Sequence, residues 1–164
     1  MKKTFHLIAM LAVVSVFGLS SCEKETIQPT LTPVGYTITS LKLTKIPMVD
    51  SNNASWDAGV LENGAPDIYF EIMDKDKTTT YFTSTYYEDV ANLPVSWSNV
   101  NKTLQVGTQY VIRFSDYDGL SANDVMANCL LQLKASNAPD TTFEWTASNG
   151  KISFTLGLKW VYSN

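Results

Sequence analysis

The acidic run Asp116-Tyr117-Asp118-Gly119-Leu120-Ser121-Ala122-Asn123-Asp124 carries the residue types best suited to chemistry in this 164-residue chain. It directly follows Ile112-Arg113-Phe114-Ser115, which reads as a strand. Side chains of an extended backbone alternate, so Asp116 and Asp118 point to one side, and Ser121 and Asp124 can return to it as the loop closes. Carboxylates aimed at one point repel. At about 5 Å and an effective dielectric of about 20, each pair costs about 3 kcal/mol. A divalent cation reverses that cost, and Ca²⁺, which takes about 6–8 oxygens, suits such a set. The spacing is not that of an EF-hand: with Asp116 in first place, Ser121 stands where that loop needs Gly, and Ala127 where it needs a bidentate Glu. The competing reading is a polar loop of turn-forming Asp and Gly.

Other chemistries are excluded by what the chain lacks once its leader is set aside. Lys2 and Lys3 precede an uncharged apolar run, Leu7 to Leu19, that is shorter than the roughly 20 residues needed to span a bilayer. The combination reads as a signal peptide over residues 1–21. Its end, Leu19-Ser20-Ser21-Cys22, resembles the bacterial lipobox. The resemblance implies that Cys22 becomes the first mature residue and carries a diacylglycerol and a further acyl chain. Several chains anchor stably where one does not. It also implies an outer-membrane lipoprotein of the cell envelope, facing periplasm or cell surface.

Removing 21 of the 164 residues leaves 143, one domain's length. His6 falls in the leader, so the mature chain has no histidine, which excludes Ser-His-Asp and Cys-His catalysis and most zinc, copper and iron sites. Any metal is then a hard ion held by oxygen. With Cys22 lipidated, Cys129 is the one remaining thiol, and its alternation with Leu131 and Leu133 places it in the core. All 16 acidic residues remain against 10 basic ones, a net charge of −6, which argues against nucleic acid and against electrostatic docking to anionic lipid.

The elements that must position the aspartates are strands. Ile152, Phe154, Leu156, Leu158, Trp160 and Tyr162 alternate with Lys151, Ser153, Thr155, Gly157 and Lys159, a period of two with one buried face. Further strands are predicted near Tyr36–Ile46, Asp67–Met73, Thr80–Tyr87, Leu93–Ser98, Gln109–Ser115, Val125–Lys134 and Thr142–Trp145. In the first, the apolar phase shifts from Tyr36 and Ile38 to Leu41 and Leu43, which a bulge explains. Residues 22–35 read as a polar tether containing Pro29 and Pro33, and 36–164 as an all-β domain, an antiparallel eight-stranded sandwich.

The order of motifs resembles a C2 domain, the calcium- and phospholipid-binding β-sandwich. Asp67-Ile68-Tyr69-Phe70-Glu71-Ile72 resembles its Asp-Pro-Tyr-Val strand, with Ile68 in place of the Pro. Asn92-Leu93-Pro94-Val95-Ser96-Trp97 resembles its Asn-Pro-x-Trp element. Tyr110 to Phe114 followed by Asp-x-Asp-x-x-Ser-x-x-Asp matches its third calcium loop, and Gly150-Lys151-Ile152 resembles the entry to the last strand of the permuted, type II form. The resemblance covers Tyr36 to Asn164. It implies a C2-like Greek key in which Asp67 joins Asp116, Asp118 and Asp124 around Ca²⁺. It also implies a further ligand from the long first loop, for which Asp57 is the choice, with Asp50 and Glu62 behind it. The function it implies is a non-enzymatic, membrane-anchored module that docks to a phospholipid headgroup or a protein partner through the ion. The alternative is a calcium-stabilised carbohydrate-binding or adhesive sandwich, favoured by an aromatic platform on an exposed face. A two-carboxylate glycosidase is a third, more distant reading. Lys75 and Lys77, between Asp74 and Asp76, read as a hairpin turn, and Glu88-Asp89 as a solvated turn.

Overall fold

The computed structural model describes residues 31–56, 64–119 and 122–163. The leader, Cys22, the tether up to Thr30, Asp57, Glu62 and Ser121 lie outside the described residues. Eight strands follow in chain order: β1 Pro33–Lys45, β2 Ile68–Asp74, β3 Thr80–Thr83, β4 Val95–Gln105, β5 Tyr110–Asp116, β6 Asp124–Leu131, β7 Thr142–Thr146 and β8 Ser153–Tyr162. They form two four-stranded sheets, ordered β4-β1-β8-β7 and β3-β2-β5-β6, with every pairing antiparallel. The connections β2–β3, β5–β6 and β7–β8 are hairpins within a sheet, and the others cross between sheets.

The period-two pattern explains which face each strand buries. Phe154, Leu156, Leu158 and Trp160 of β8 face inward beside Tyr36, Ile38, Leu41 and Leu43 of β1. The opposing sheet supplies Phe70, Ile72, Ile112, Phe114, Cys129 and Leu131. Phe70 is the aromatic hub, with ring centroids of Trp97, Phe82 and Phe114 at 5.0, 5.5 and 6.3 Å. Cys129 is fully buried and burial pushes its thiol up to about 12, so it is an inert core residue.

The bulge expected in β1 is present. Ile38 pairs with Leu158 and Ser40 with Gly157, leaving Thr39 as the extra residue. A Cβ on Gly157 would collide with the Ser40 and Thr39 hydroxyls, so the bulge closes over a position that needs glycine. β4 differs from its expected extent, running to Gln105 rather than ending near Ser98. Asn99 and Asn101 take left-handed φ of 61° and 49° and shift the apolar phase from Trp97 to Val100 and Leu104. Pairing with β1 resumes beyond them at Lys102. The segment after β3 forms no strand but bridges back to β2 through paired bonds between Ile68 and Tyr87.

The strand directions define two poles. β5 starts at Tyr110 beside the β4–β5 turn, where Val106 N–H donates to Val34 O near the start of β1, and it ends at Asp116. The start of β1 therefore lies at the pole away from Asp116.

Candidate metal centre

Asp116 is inward-facing by the same alternation that buries Tyr110, Ile112 and Phe114. As the last residue of β5 it sits where the core meets the loops, opposite Ile68 of β2 and Asp124 of β6, and it is 0% exposed. Its Oδ1 accepts the Asp67 N–H at 2.6 Å. Its Oδ2 is buried without a partner. Among the described residues, only the Tyr36 hydroxyl shares that condition. Burial pushes the Asp116 carboxyl up to about 6, and the charges of Asp118, Asp67 and Asp124 add to the rise against the opposing Asp67 hydrogen bond.

The neighbours are held by short-range devices. Asp67 Oδ1 accepts the Asp89 N–H at 2.7 Å, and Asp67 O accepts the Tyr117 N–H at 2.9 Å. The Glu88-Asp89 turn, expected to be merely solvated, thus fixes Asp67, with Asp89 itself at φ 47°. Asn123 Oδ1 accepts the Asp118 N–H at 3.0 Å while its Nδ2 donates to the Tyr69 hydroxyl at 2.9 Å, bracing the loop across to β2. Tyr117, between the two aspartates, stacks on Tyr86 at 4.6 Å and meets Tyr69 edge-on at 6.5 Å. Tyr117 and Asn123 lie in the acidic run and Tyr69 in the motif of β2, but no sequence signal ties Tyr86 to them.

Four of the five expected metal-binding residues, Asp67, Asp116, Asp118 and Asp124, meet at this pole, and Asp57 lies outside the described residues. Among the described residues no group of three or more His, Cys, Asp or Glu side chains is drawn together tightly enough to hold a metal ion. Asp50, a reserve candidate, is used locally: its carboxylate accepts the Asn52 and Ala54 N–H groups and the Asn52 amide, which hold its pKa below the usual range. Trp56 packs half-buried on the core and donates its indole N–H to Pro47 O.

No family model matches this sequence, and no curated protein matches it. The structure is similar to that of human GIVD cytosolic phospholipase A2, with a TM-score of 0.54 at 13% identity over 81% of this chain and 17% of that one. A solved structure described as a C2 domain matches 76% of this chain and 97% of its own length at 14% identity, with a TM-score of 0.46. The fold is an eight-stranded antiparallel β-sandwich. This chain spans less than a fifth of the phospholipase chains it matches.

Proposed function

We propose that the mature chain is a lipid-anchored, calcium-responsive docking module. The observation that carries the reading is Asp116 Oδ2, a buried carboxylate oxygen with no donor and three further carboxylates around it. A buried charge needs a counter-charge or a proton. The oxygen-only donor set fits a hard cation. Asp116, Asp67, Asp118 and Asp124 would have to close in from their present spacing to hold Ca²⁺, with a further oxygen from the first loop, Asp57 by resemblance. The bound ion would supply positive charge able to attract a phosphate headgroup or an acidic partner. Around it, Tyr86 and Tyr117 present exposed, amphipathic rings suited to a headgroup surface. Docking then depends on the ion rather than on a basic patch. The glycosidase reading also asks for a raised carboxyl, but Asp116 is sealed from any substrate. The carbohydrate-binding reading finds its support at the other pole, in the exposed ring of Tyr81.

Thermal melting with and without calcium is the test. At about 1 mM Ca²⁺ and a Kd on the order of 10⁻⁴–10⁻³ M, the fold gains roughly 0.4–1.4 kcal/mol, a shift of a few degrees. Asp118→Asn removes most of that gain and raises calcium-free stability, because one repelling charge is gone. A merely polar loop changes little in either condition, and a melting temperature indifferent to calcium ends the ion reading.

The anchor is tested separately. Cys22→Ser leaves an unprocessed or unlipidated chain that no longer partitions into membranes or detergent as the parent does. Unchanged partitioning removes the lipoprotein reading.

A further inference from the structure

At the pole where β1 starts, the β2–β3 hairpin, the β4–β5 turn, the end of β4 and the end of β6 border two open, adjoining hollows of about 450 and 390 Å³. Both fall in the range of about 300–1,000 Å³ that small-molecule sites occupy. Tyr81, Thr108 and Tyr110 line both. Tyr81 stands on the short edge strand β3, 40% exposed, and its ring is fixed. Tyr110 meets it edge-on at 5.8 Å, and Lys102 Nζ lies over it at 5.5 Å.

The rim is made of amides and hydroxyls, Gln105, Gln109, Gln132, Thr103 and Thr108. Gln132 Nε2 donates to Gly107 O, which orients that amide. The charges lining the trough are Asp74, Asp76, Lys75 and Lys102, two of each sign. Asp74 is occupied by the hairpin, accepting from Thr78 N–H, Thr78 Oγ1 and Thr79 N–H. A rigid aromatic ring, a rim of neutral donors and acceptors and no net charge match a pyranose, which has an apolar C–H face and a hydroxyl edge. They do not match an anionic headgroup.

We propose that this trough binds a neutral oligosaccharide, with one pyranose ring packed on the exposed part of the Tyr81 ring that Lys102 and Tyr110 leave uncovered. The site deepens the carbohydrate-binding reading but lies at the pole opposite Asp116, so it is independent of the ion.

The test is retention of the full chain, in detergent micelles and chelator, on arrays of neutral and uronic-acid glycans. Neutral glycans retain the parent. Tyr81→Ala weakens retention about tenfold or more, the loss of one stacking contact of about 1.4 kcal/mol. Tyr81→Phe, which keeps the ring, restores it, with melting temperatures of both Tyr81 variants equal to the parent's in chelator excluding misfolding. Three outcomes overturn the proposal: no neutral glycan retained, retention equal in Tyr81→Ala, or retention that requires calcium and is lost in Asp118→Asn. None of these alters the calcium-dependent melting shift, so the two readings fail separately.

Discussion

Leu156→Asp is expected to unfold the domain at room temperature. Leu156 is 0% exposed at the centre of its sheet, paired with Leu41 of β1 on one side and Phe143 of β7 on the other. Truncating a core leucine costs about 2–5 kcal/mol through lost transfer energy and the cavity left behind. A carboxylate there has no donor in reach, because its inward neighbours are apolar, and it must bury a charge or take up a proton. The combined penalty is comparable with the whole stability of a domain this size, about 5–15 kcal/mol. Urea denaturation of the parent and of the volume-conserving control Leu156→Met checks it. The control loses less than about 1.5 kcal/mol, while the aspartate variant shows no cooperative transition. A soluble Leu156→Asp variant with an unchanged midpoint would remove β8 from the core.

The second large effect is the pH dependence that Asp116 imposes on the calcium-free fold. Its folded pKa, about 6, lies above the ordinary value of 3.8. Between those two values the folded chain holds a proton that the unfolded chain releases. Stability attributable to this group is therefore fully present at lower pH and is lost as pH rises through that window. The rise from 3.8 to about 6 corresponds to at most about 3 kcal/mol, less whatever solvent screening reaches the carboxyl. Asp116→Asn cannot titrate and keeps an oxygen to accept the Asp67 N–H. In calcium-free buffer it is expected to be more stable than the parent near pH 7, by an amount of that order, and to lose most of this advantage near pH 4. Calcium at about 1 mM narrows that gap near pH 7 by roughly 0.4–1.4 kcal/mol, since the ion selects the charged form that only the parent has. Urea midpoints of parent and variant at the two pH values decide the matter. A difference between the two proteins that is independent of pH would show that Asp116 keeps its charge at little cost.

Which strands exist, and which face each one buries, was legible in the chain because side-chain alternation is a local property. Ile152 to Tyr162 reads as β8 from period two alone, and the phase slip between Ile38 and Leu41 announces the bulge at Thr39. The aspartates at strand ends, and the absence of histidine after His6, marked the acidic pole and the kind of ion proposed for it. Tertiary structure alone decided the rest. That Asp116 is sealed while Asp118 remains part-exposed depends on where the sheets close over the core, which alternation along one strand does not specify. The hold on Asp67 comes from Asp89, 22 residues away, and from Asp116, 49 residues away, so only chain closure brings them together. β4 continues beyond Ser98 because pairing with β1 supports two asparagines in left-handed backbone that local propensity would read as a turn. The trough around Tyr81 draws on one hairpin, one inter-sheet turn and the end of a third strand. Each is an ordinary polar surface segment, and they form a site only because the crossing connections bring them to the same pole.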